Sequence, residues 1–189
     1  MNEILDLKNL TFILGGARSG KSTLAERLAG ETAGQVLYVA TAEIRDEEMR
    51  SRIEIHQQRR PANWDTLEAP LEVAARLREV LPTVKPVTVL LDCLSLLTSN
   101  FLLTLPEGKD EIYYWEQMQQ EIIPLIETAA SHPEIAFIFV SNEVGTGIVP
   151  AYSLGRVFRD ILGRVNQTVA AAAGTVYYTV AGLPMKIKS

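Results

Sequence analysis

The sequence predicts an α/β fold in which a mostly parallel central sheet carries helices on both faces. Five apolar runs, rich in β-branched and aromatic residues, are predicted as strands at 10–14, 36–40, 87–91, 135–140 and 176–180. Helix-forming segments alternate with them, at about 20–33, 46–59, 70–80, 112–130 and 152–173. Nearly continuous apolar strands are typical of strands covered on both faces, and strand–helix alternation is typical of parallel sheets.

A glycine-rich loop joins the first predicted strand to the first predicted helix. It has the pattern G-x-x-x-x-G-K-S and reads Gly15-Gly16-Ala17-Arg18-Ser19-Gly20-Lys21-Ser22. Backbone N–H groups of such a loop, with the positive end of the following helix, cradle nucleotide phosphates. We predict a nucleotide site that these eight residues line. In it Lys21 is catalytic and reaches the β- and γ-phosphates, and the Ser22 hydroxyl binds Mg²⁺.

Other polar residues end the predicted strands. In open parallel sheets ligands lie beyond the carboxyl ends of the strands, so Thr41, Asp92 and residues 141–143 are candidates for the same site. Asp92 follows the apolar run 87–91, and a carboxylate there is suited to hold Mg²⁺ opposite the phosphate loop. The alternative is that Asp92 caps a helix that follows it.

Composition restricts the class of protein. The 189 residues are expected to form one domain, 1–189, and the net charge of −5 argues against a nucleic-acid-binding surface. The single cysteine, Cys93, fits a reducing compartment. The N-terminus lacks a signal-peptide pattern, and polar residues interrupt the apolar stretch 87–103, so no membrane span is expected. We therefore expect a cytoplasmic protein.

His56 lies in a charged segment, 46–60, which Pro61 ends. If the segment is helical, Met49, Ile53 and His56 share one face. One interpretation is a histidine at the edge of the core with a satisfied hydrogen bond. The other is a nucleophile that attacks phosphorus, with nearby arginines steadying the phosphate charge. Spacing alone favours the first.

Several motifs, in order along nearly the whole chain, resemble the bifunctional adenosylcobinamide kinase / adenosylcobinamide-phosphate guanylyltransferase family of cobalamin biosynthesis. Besides the phosphate loop, the matching segments are Tyr38–Ala42, Asp46–Met49, Arg52–His56, Arg60–Glu68, Asn142–Pro150 and Phe158–Gln167. The segments NEVGxGIVP and FRDxxGRxNQ are far more specific than the phosphate loop, which many NTPases share.

The resemblance implies two reactions. ATP or GTP first phosphorylates the hydroxyl of adenosylcobinamide, and GMP is then transferred from GTP to the new phosphate, giving adenosylcobinamide-GDP. It also implies that GMP passes through a covalent adduct on the catalytic histidine, which matches His56. This overturns the interpretation that spacing favours.

The resemblance further implies the site, the fold and the assembly. The fold is a RecA-like P-loop NTPase, the protein is a homotrimer, and the partner is a small corrinoid substrate. Nucleotide contacts are implied, beyond the phosphate loop, at Thr41, Ala42, Glu43, Gln57, Gln58, Arg59, Arg60, Glu68 and Asp92.

Two features of the implied chemistry lack an assignment. We consider the aromatic residues Phe101 and 113–115 as a corrinoid surface, against the alternative that they pack ordinarily along a helix. For the kinase base, Glu48, Glu68 and Glu143 are candidates.

Two other functions fit a phosphate loop. A simple small-molecule kinase would transfer only the γ-phosphate and would form no covalent protein–nucleotide species. A nucleotide-switch GTPase would recruit a protein partner, but the guanine-recognition motif N-K-x-D of many such switches has no match in the sequence.

Overall fold

A computed structural model describes residues 6–43, 47 and 61–189. Seven strands form one sheet in the order β3-β2-β4-β5-β1-β6-β7. Their bounds are β1 Leu7–Gly15, β2 Val36–Ala40, β3 Asp65–Glu68, β4 Thr88–Asp92, β5 Ala136–Asn142, β6 Ala173–Val180 and β7 Leu183–Lys188. Neighbouring strands are parallel except for β6 and β7. The predicted mostly parallel sheet is confirmed.

Five helices connect these strands in the described part of the chain. They are α1 Lys21–Glu31, α2 Val73–Val84, α3 Leu94–Leu102, α4 Glu111–Ala130 and α5 Ser153–Ala172. Four of the predicted helices match these elements within a few residues. The predicted helix at 46–59 falls, apart from Glu47, outside the described residues.

Alternate residues of the central strands supply two hydrophobic clusters. Phe12, Phe137 and Phe139 belong to the cluster that also contains the buried side chains of α2, α3, α4 and α5. Ile13 and Ile138 belong to a smaller cluster with Leu24, Ala25 and Ala29 of α1. Because successive side chains of a strand point to opposite faces, the helices cover both faces of the sheet, as predicted.

Three elements were absent from the sequence prediction. Helix α3 lies within the apolar stretch 87–103, where no periodic polar face marks it. Strand β3 is only four residues long, with three of them exposed. Strand β7 is an exposed edge that pairs with β6 across a two-residue turn, in which Ala181 and Gly182 both have positive φ. These elements depend on tertiary pairing more than on a local pattern.

No helix within residues 6–43 and 61–189 is long and apolar enough to cross a membrane.

Candidate active site

The phosphate loop connects β1 directly to α1. Strand β1 ends at Gly15, and α1 starts at Lys21 after Gly20, whose φ is 96°. That φ lies in the left-handed region that glycine adopts at little cost. A Cβ on Gly15 would lie 2.3 Å from Thr179 Oγ1 and 2.6 Å from the Thr179 carbonyl oxygen. Both glycines are therefore required by the backbone path of the loop.

Lys21 folds back across the loop. Its side chain is buried, and its Nζ donates a hydrogen bond of 2.7 Å to the Gly16 carbonyl oxygen. Burial lowers the pKa of Lys21, while the charge of Asp92 acts in the opposite direction. The ammonium group thus lies where loop and helix meet, the position that a phosphate-binding lysine needs.

Ser19 is held by strand β6 on the other side of β1. The hydroxyls of Ser19 and Thr179 are 2.7 Å apart, and both side chains are buried. Thr179 Oγ1 also lies 3.1 Å from the Leu14 carbonyl oxygen, and Gly182 N–H donates to the Ser19 carbonyl oxygen at 2.9 Å. The hairpin between β6 and β7 therefore fixes the shape of the phosphate loop. The side chain of Ser19 therefore points toward Thr179.

Asp92 ends β4 on the same edge of the sheet. Tyr38 donates its hydroxyl hydrogen to Asp92 Oδ2 at 3.1 Å. Across the sheet, Asp92 pairs with Ala40 of β2, and Ala40 pairs with Glu68 of β3. Asp92 and Glu68, the two predicted carboxylate contacts, therefore lie in one row across the sheet. Two strand spacings, roughly 10 Å, separate them. The α3 helix begins with Cys93 as its N-cap, so the alternative that Asp92 caps a helix is wrong.

Thr41 holds the chain immediately after Asp92. Its hydroxyl donates to the Cys93 carbonyl oxygen and accepts from the Cys93 N–H, both at 2.8 Å. Asn100 in α3 donates from Nδ2 to the Thr41 carbonyl oxygen at 2.8 Å. The Asp92–Cys93 peptide bond within this arrangement is cis. Thr41 is fully buried and engaged with Cys93, so its side chain supports the Asp92 turn.

The Cys93 thiol is a structural group. Burial, with the nearby Asp92 charge, raises the pKa of Cys93 to about 11. Its Sγ lies 2.9 Å from Ser95 Oγ, which in turn accepts from Asn142 Nδ2 at 2.9 Å. A thiol with so high a pKa is protonated near neutral pH and is not a nucleophile there.

The end of β5 lies between the phosphate loop and Asp92. Asn142 pairs with Gly15 across the sheet, and the Glu143 N–H donates to the Gly15 carbonyl oxygen at 3.0 Å. Asn166 in α5 donates from Nδ2 to the Asn142 carbonyl oxygen at 3.0 Å. The two motifs that carry most of the family resemblance, NEVGxGIVP and FRDxxGRxNQ, therefore meet beside the phosphate loop.

The remaining predicted nucleotide contacts either are exposed, in part or fully, at the carboxyl edge of the sheet or lie outside the described residues. Ala42 and Glu43 follow Thr41 and are partly exposed, and Glu68 is exposed at the end of β3. His56, Gln57, Gln58, Arg59 and Arg60 lie outside the described residues. The supporting residues Tyr38, Ser95, Asn100 and Thr179 were not predicted, because only the strand order brings them to the site.

The aromatic residues considered as a corrinoid surface lie against the core. Tyr114 is 3% exposed, and its hydroxyl donates to the Pro106 carbonyl oxygen. Phe101, Tyr113 and Trp115 are partly buried against the large hydrophobic cluster. Arg164 of α5 lies over the Trp115 ring at 5.8 Å from its centroid. Packing against the core explains the position of Tyr114 completely, and it explains much of the burial of Phe101, Tyr113 and Trp115.

A phosphate loop after the first strand of a parallel sheet, with a carboxylate at the end of β4, defines the class of P-loop nucleotide-binding proteins. The solved structure of the flagellar accessory protein FlaH from Methanocaldococcus jannaschii has a similar fold, with a TM-score of 0.50 and 15% identity. That likeness covers 97% of this chain and 80% of FlaH, and it supports the RecA-like fold alone.

A family model described as cobinamide kinase / cobinamide phosphate guanyltransferase matches residues 11–187, and the chain belongs to that family. The bifunctional adenosylcobalamin biosynthesis protein CobU of Escherichia coli K12 is 41% identical, over 95% of this chain and 99% of CobU. The protein CobP of Pseudomonas aeruginosa, described in the same words, is 45% identical, over 93% of this chain and 95% of CobP. The prediction of a kinase and guanylyltransferase of cobalamin biosynthesis is confirmed.

Proposed function

We propose that a single phosphate-loop site performs both reactions and that GMP passes through a covalent bond to His56. The observation that carries the proposal is the arrangement of Lys21 and Asp92. Lys21 Nζ is bonded to the Gly16 carbonyl oxygen in the phosphate loop, and Asp92 ends β4 at the same carboxyl edge of the sheet, with only β5 between β4 and β1. Such a pair suits a nucleotide whose phosphates are bound by the loop.

In the kinase reaction the acceptor hydroxyl oxygen attacks the γ-phosphorus. The bond from that phosphorus to the bridging oxygen breaks, the hydroxyl proton leaves to a base, and a nucleoside diphosphate departs. Lys21 stabilises the charge that develops on the phosphate oxygens. Glu143 is our candidate base, because its backbone N–H is hydrogen-bonded to Gly15 beside the loop.

In the transferase reaction the neutral imidazole of His56 attacks the α-phosphorus of GTP. A phosphorus–nitrogen bond forms, the bond to the β-phosphate oxygen breaks, and pyrophosphate leaves. An oxygen of the acceptor phosphate then attacks the same phosphorus and displaces the imidazole. The covalent route avoids direct attack by a phosphate dianion on a polyanionic triphosphate, since the adduct carries less charge.

The residues at the site fit Mg²⁺. Ser22 in the first turn of α1 and Asp92 supply hard oxygen ligands, which Mg²⁺ prefers. Mg²⁺ is usually held by one or two carboxylates together with substrate phosphates, so Asp92 and a bound nucleotide form a suitable set of ligands. When bound, it would neutralise charge on the phosphates of the nucleotide.

The other nucleotide contacts of the proposal surround this centre. Ala42 and Glu43 follow β2 and Glu68 ends β3, all on the carboxyl edge of the sheet, where Thr41 acts by holding the Asp92 turn. Gln57, Gln58, Arg59 and Arg60 follow His56 in sequence, and we assign the two arginines to the phosphates.

The covalent step is tested by incubation with α-³²P-GTP and Mg²⁺, then denaturation and measurement of protein-bound label. We expect label that is acid-labile and alkali-stable, as a phosphorus–nitrogen bond is. The His56→Ala variant should bind the nucleotide and carry no label. His132→Ala is the matched control, since His132 is the other of the two histidines and should leave labelling unchanged.

The result against the proposal is equally definite. Wild-type protein that binds GTP but takes up no label lacks the covalent intermediate. Label that survives in His56→Ala places the adduct on another residue.

A further inference from the structure

The loop between β5 and α5, residues 143–152, is anchored at both ends. At its start, the Glu143 N–H is bonded to the Gly15 carbonyl oxygen. At its end, Arg156 Nη1 donates to the carbonyl oxygens of Pro150 and Ala151, at 3.1 and 2.7 Å. We call these residues the apolar loop, because of the side chains at its tip. Its position beside the phosphate loop is thus defined by hydrogen bonds to the phosphate loop and to α5.

The tip of the apolar loop exposes large hydrophobic side chains. Ile148 is 97% exposed, Tyr152 69% and Val149 58%. Apolar surface left in water forgoes a stabilisation of roughly 25 cal/mol per Å². Contiguous exposed apolar residues mark binding surfaces more often than isolated ones do. The exposed side chains of the apolar loop therefore indicate a binding surface.

Packing at the base of the loop supports a fixed shape. A Cβ on Gly155 would lie 2.8 Å from Pro150 Cβ and 2.7 Å from Cε2 of the Tyr152 ring. The buried glycine at the start of α5 therefore lets Pro150 and Tyr152 approach the helix closely. A surface held in place before binding loses less conformational freedom when a ligand docks.

The apolar loop lies within reach of the transferred phosphate. Ile148 is five residues beyond Glu143, so its Cα lies at most about 17 Å from that of Glu143. Strand β5 is flanked by β1, which carries the phosphate loop, and by β4, which carries Asp92. A macrocycle with a flexible arm spans a distance of this size.

We propose that the apolar loop binds the macrocycle of the cobinamide acceptor, with Ile148, Val149 and Tyr152 as the contacting side chains. This proposal rests on the function proposed above. A corrin ring offers a conjugated face and methyl groups for apolar contact. The partly buried aromatic residues near α4 offer less free apolar surface than this loop.

The test compares Ile148→Ser and Tyr152→Ala with wild type in steady-state kinase assays, with cobinamide and GTP varied in turn. We expect the KM for cobinamide to rise about tenfold in each variant, because burial of one such side chain supplies that much. The KM for GTP and the amount of protein-bound GMP should stay unchanged. Ile123→Ser is the matched control: Ile123 is 37% exposed in the middle of α4 and belongs neither to the apolar loop nor to the β7 edge.

Three results would overturn the proposal. One is an unchanged KM for cobinamide in both loop variants. Another is an equal rise in the KM for cobinamide and for GTP. The third is a fall in molecular mass by light scattering, which would identify the loop as a contact between copies of the chain. Failure of the proposed function is distinguishable, since wild-type protein itself would then form no protein-bound GMP.

Discussion

At the scale of a single residue, Thr41 is a predicted nucleotide contact whose hydroxyl is bonded to the backbone of Cys93, the neighbour of Asp92. Its hydroxyl is occupied by the backbone N–H and carbonyl of Cys93, and its own carbonyl is bonded to Asn100. We therefore assign it to positioning Asp92. Sequence alone placed Thr41 correctly at the end of β2, but it could not say which way the hydroxyl pointed.

Replacement of Thr41 by Val should lower both activity and stability. Valine has a similar shape but leaves the buried Cys93 N–H without an acceptor, at a cost of about 1–3 kcal/mol. We expect the Mg²⁺ concentration for half-maximal kinase activity to rise several-fold, with kcat falling more than the KM for nucleotide changes. Thr41→Ser keeps the hydroxyl and should restore the Mg²⁺ dependence. If Val and Ser variants respond to Mg²⁺ alike, Thr41 does not position Asp92.

Glu121 in α4 illustrates the scale of the secondary-structure element. The carboxylate is only 7% exposed and accepts a hydrogen bond from the Glu72 N–H at the start of α2. It thus links two helices that cover the same face of the sheet. Burial raises the pKa of Glu121, the Glu72 N–H lowers it, and the Glu72 charge raises it further.

Glu121→Gln should make the protein more stable at neutral pH. Glutamine keeps an oxygen acceptor for the Glu72 N–H and removes the buried charge. Because the pKa of Glu121 is raised on folding, the folded protein binds a proton that the unfolded chain has released, and stability falls as pH rises through that interval. The gain in the free energy of unfolding should shrink as pH falls through the raised pKa of the folded protein toward 4.5, the ordinary value for this side chain, and should be lost below it.

Denaturant unfolding at several pH values measures this effect. The matched control is Glu127→Gln, which changes an exposed glutamate on the same helix and should give no pH-dependent difference. A gain from Glu121→Gln that is equal at pH 4 and pH 7 would show that charge is not its cause.

At the scale of the whole molecule, β7 is one of the two edge strands of the sheet. Among the described strands it pairs with β6 alone, and it exposes Leu183, Met185 and Ile187 at alternate positions. A long exposed edge with apolar side chains is a site at which chains associate. We propose that the chain forms the homotrimer implied by the family resemblance and that this edge contributes to it.

Light scattering on purified protein should give a mass of three times 20.9 kDa that is independent of concentration. Met185→Lys adds a charge at the β7 edge and should lower that mass. Ile123→Lys, on the exposed side of α4, serves as the control and should leave it unchanged. A wild-type mass of one chain would exclude the trimer, and a trimer that Met185→Lys leaves intact would exclude a role for the β7 edge.

Elements with a strong local pattern could be predicted from the sequence. The phosphate loop, the five apolar strands and the carboxylate Asp92 were all found in place, because glycine requirements and side-chain periodicity are local properties of the chain. The family resemblance likewise needed only the order of the motifs. The role of His56 depends on that resemblance and stays a prediction.

The contacts around these elements depend on the tertiary structure. Thr179 reaches Ser19 across 160 residues because β6 lies beside β1, and Asn100 reaches Thr41 because α3 folds back after β4. Strand β7 exists because a tight turn returns the chain along β6. The physical reason is common to all three. Strand order and helix placement follow from the need to bury both faces of one sheet. No single segment of the sequence contains that information.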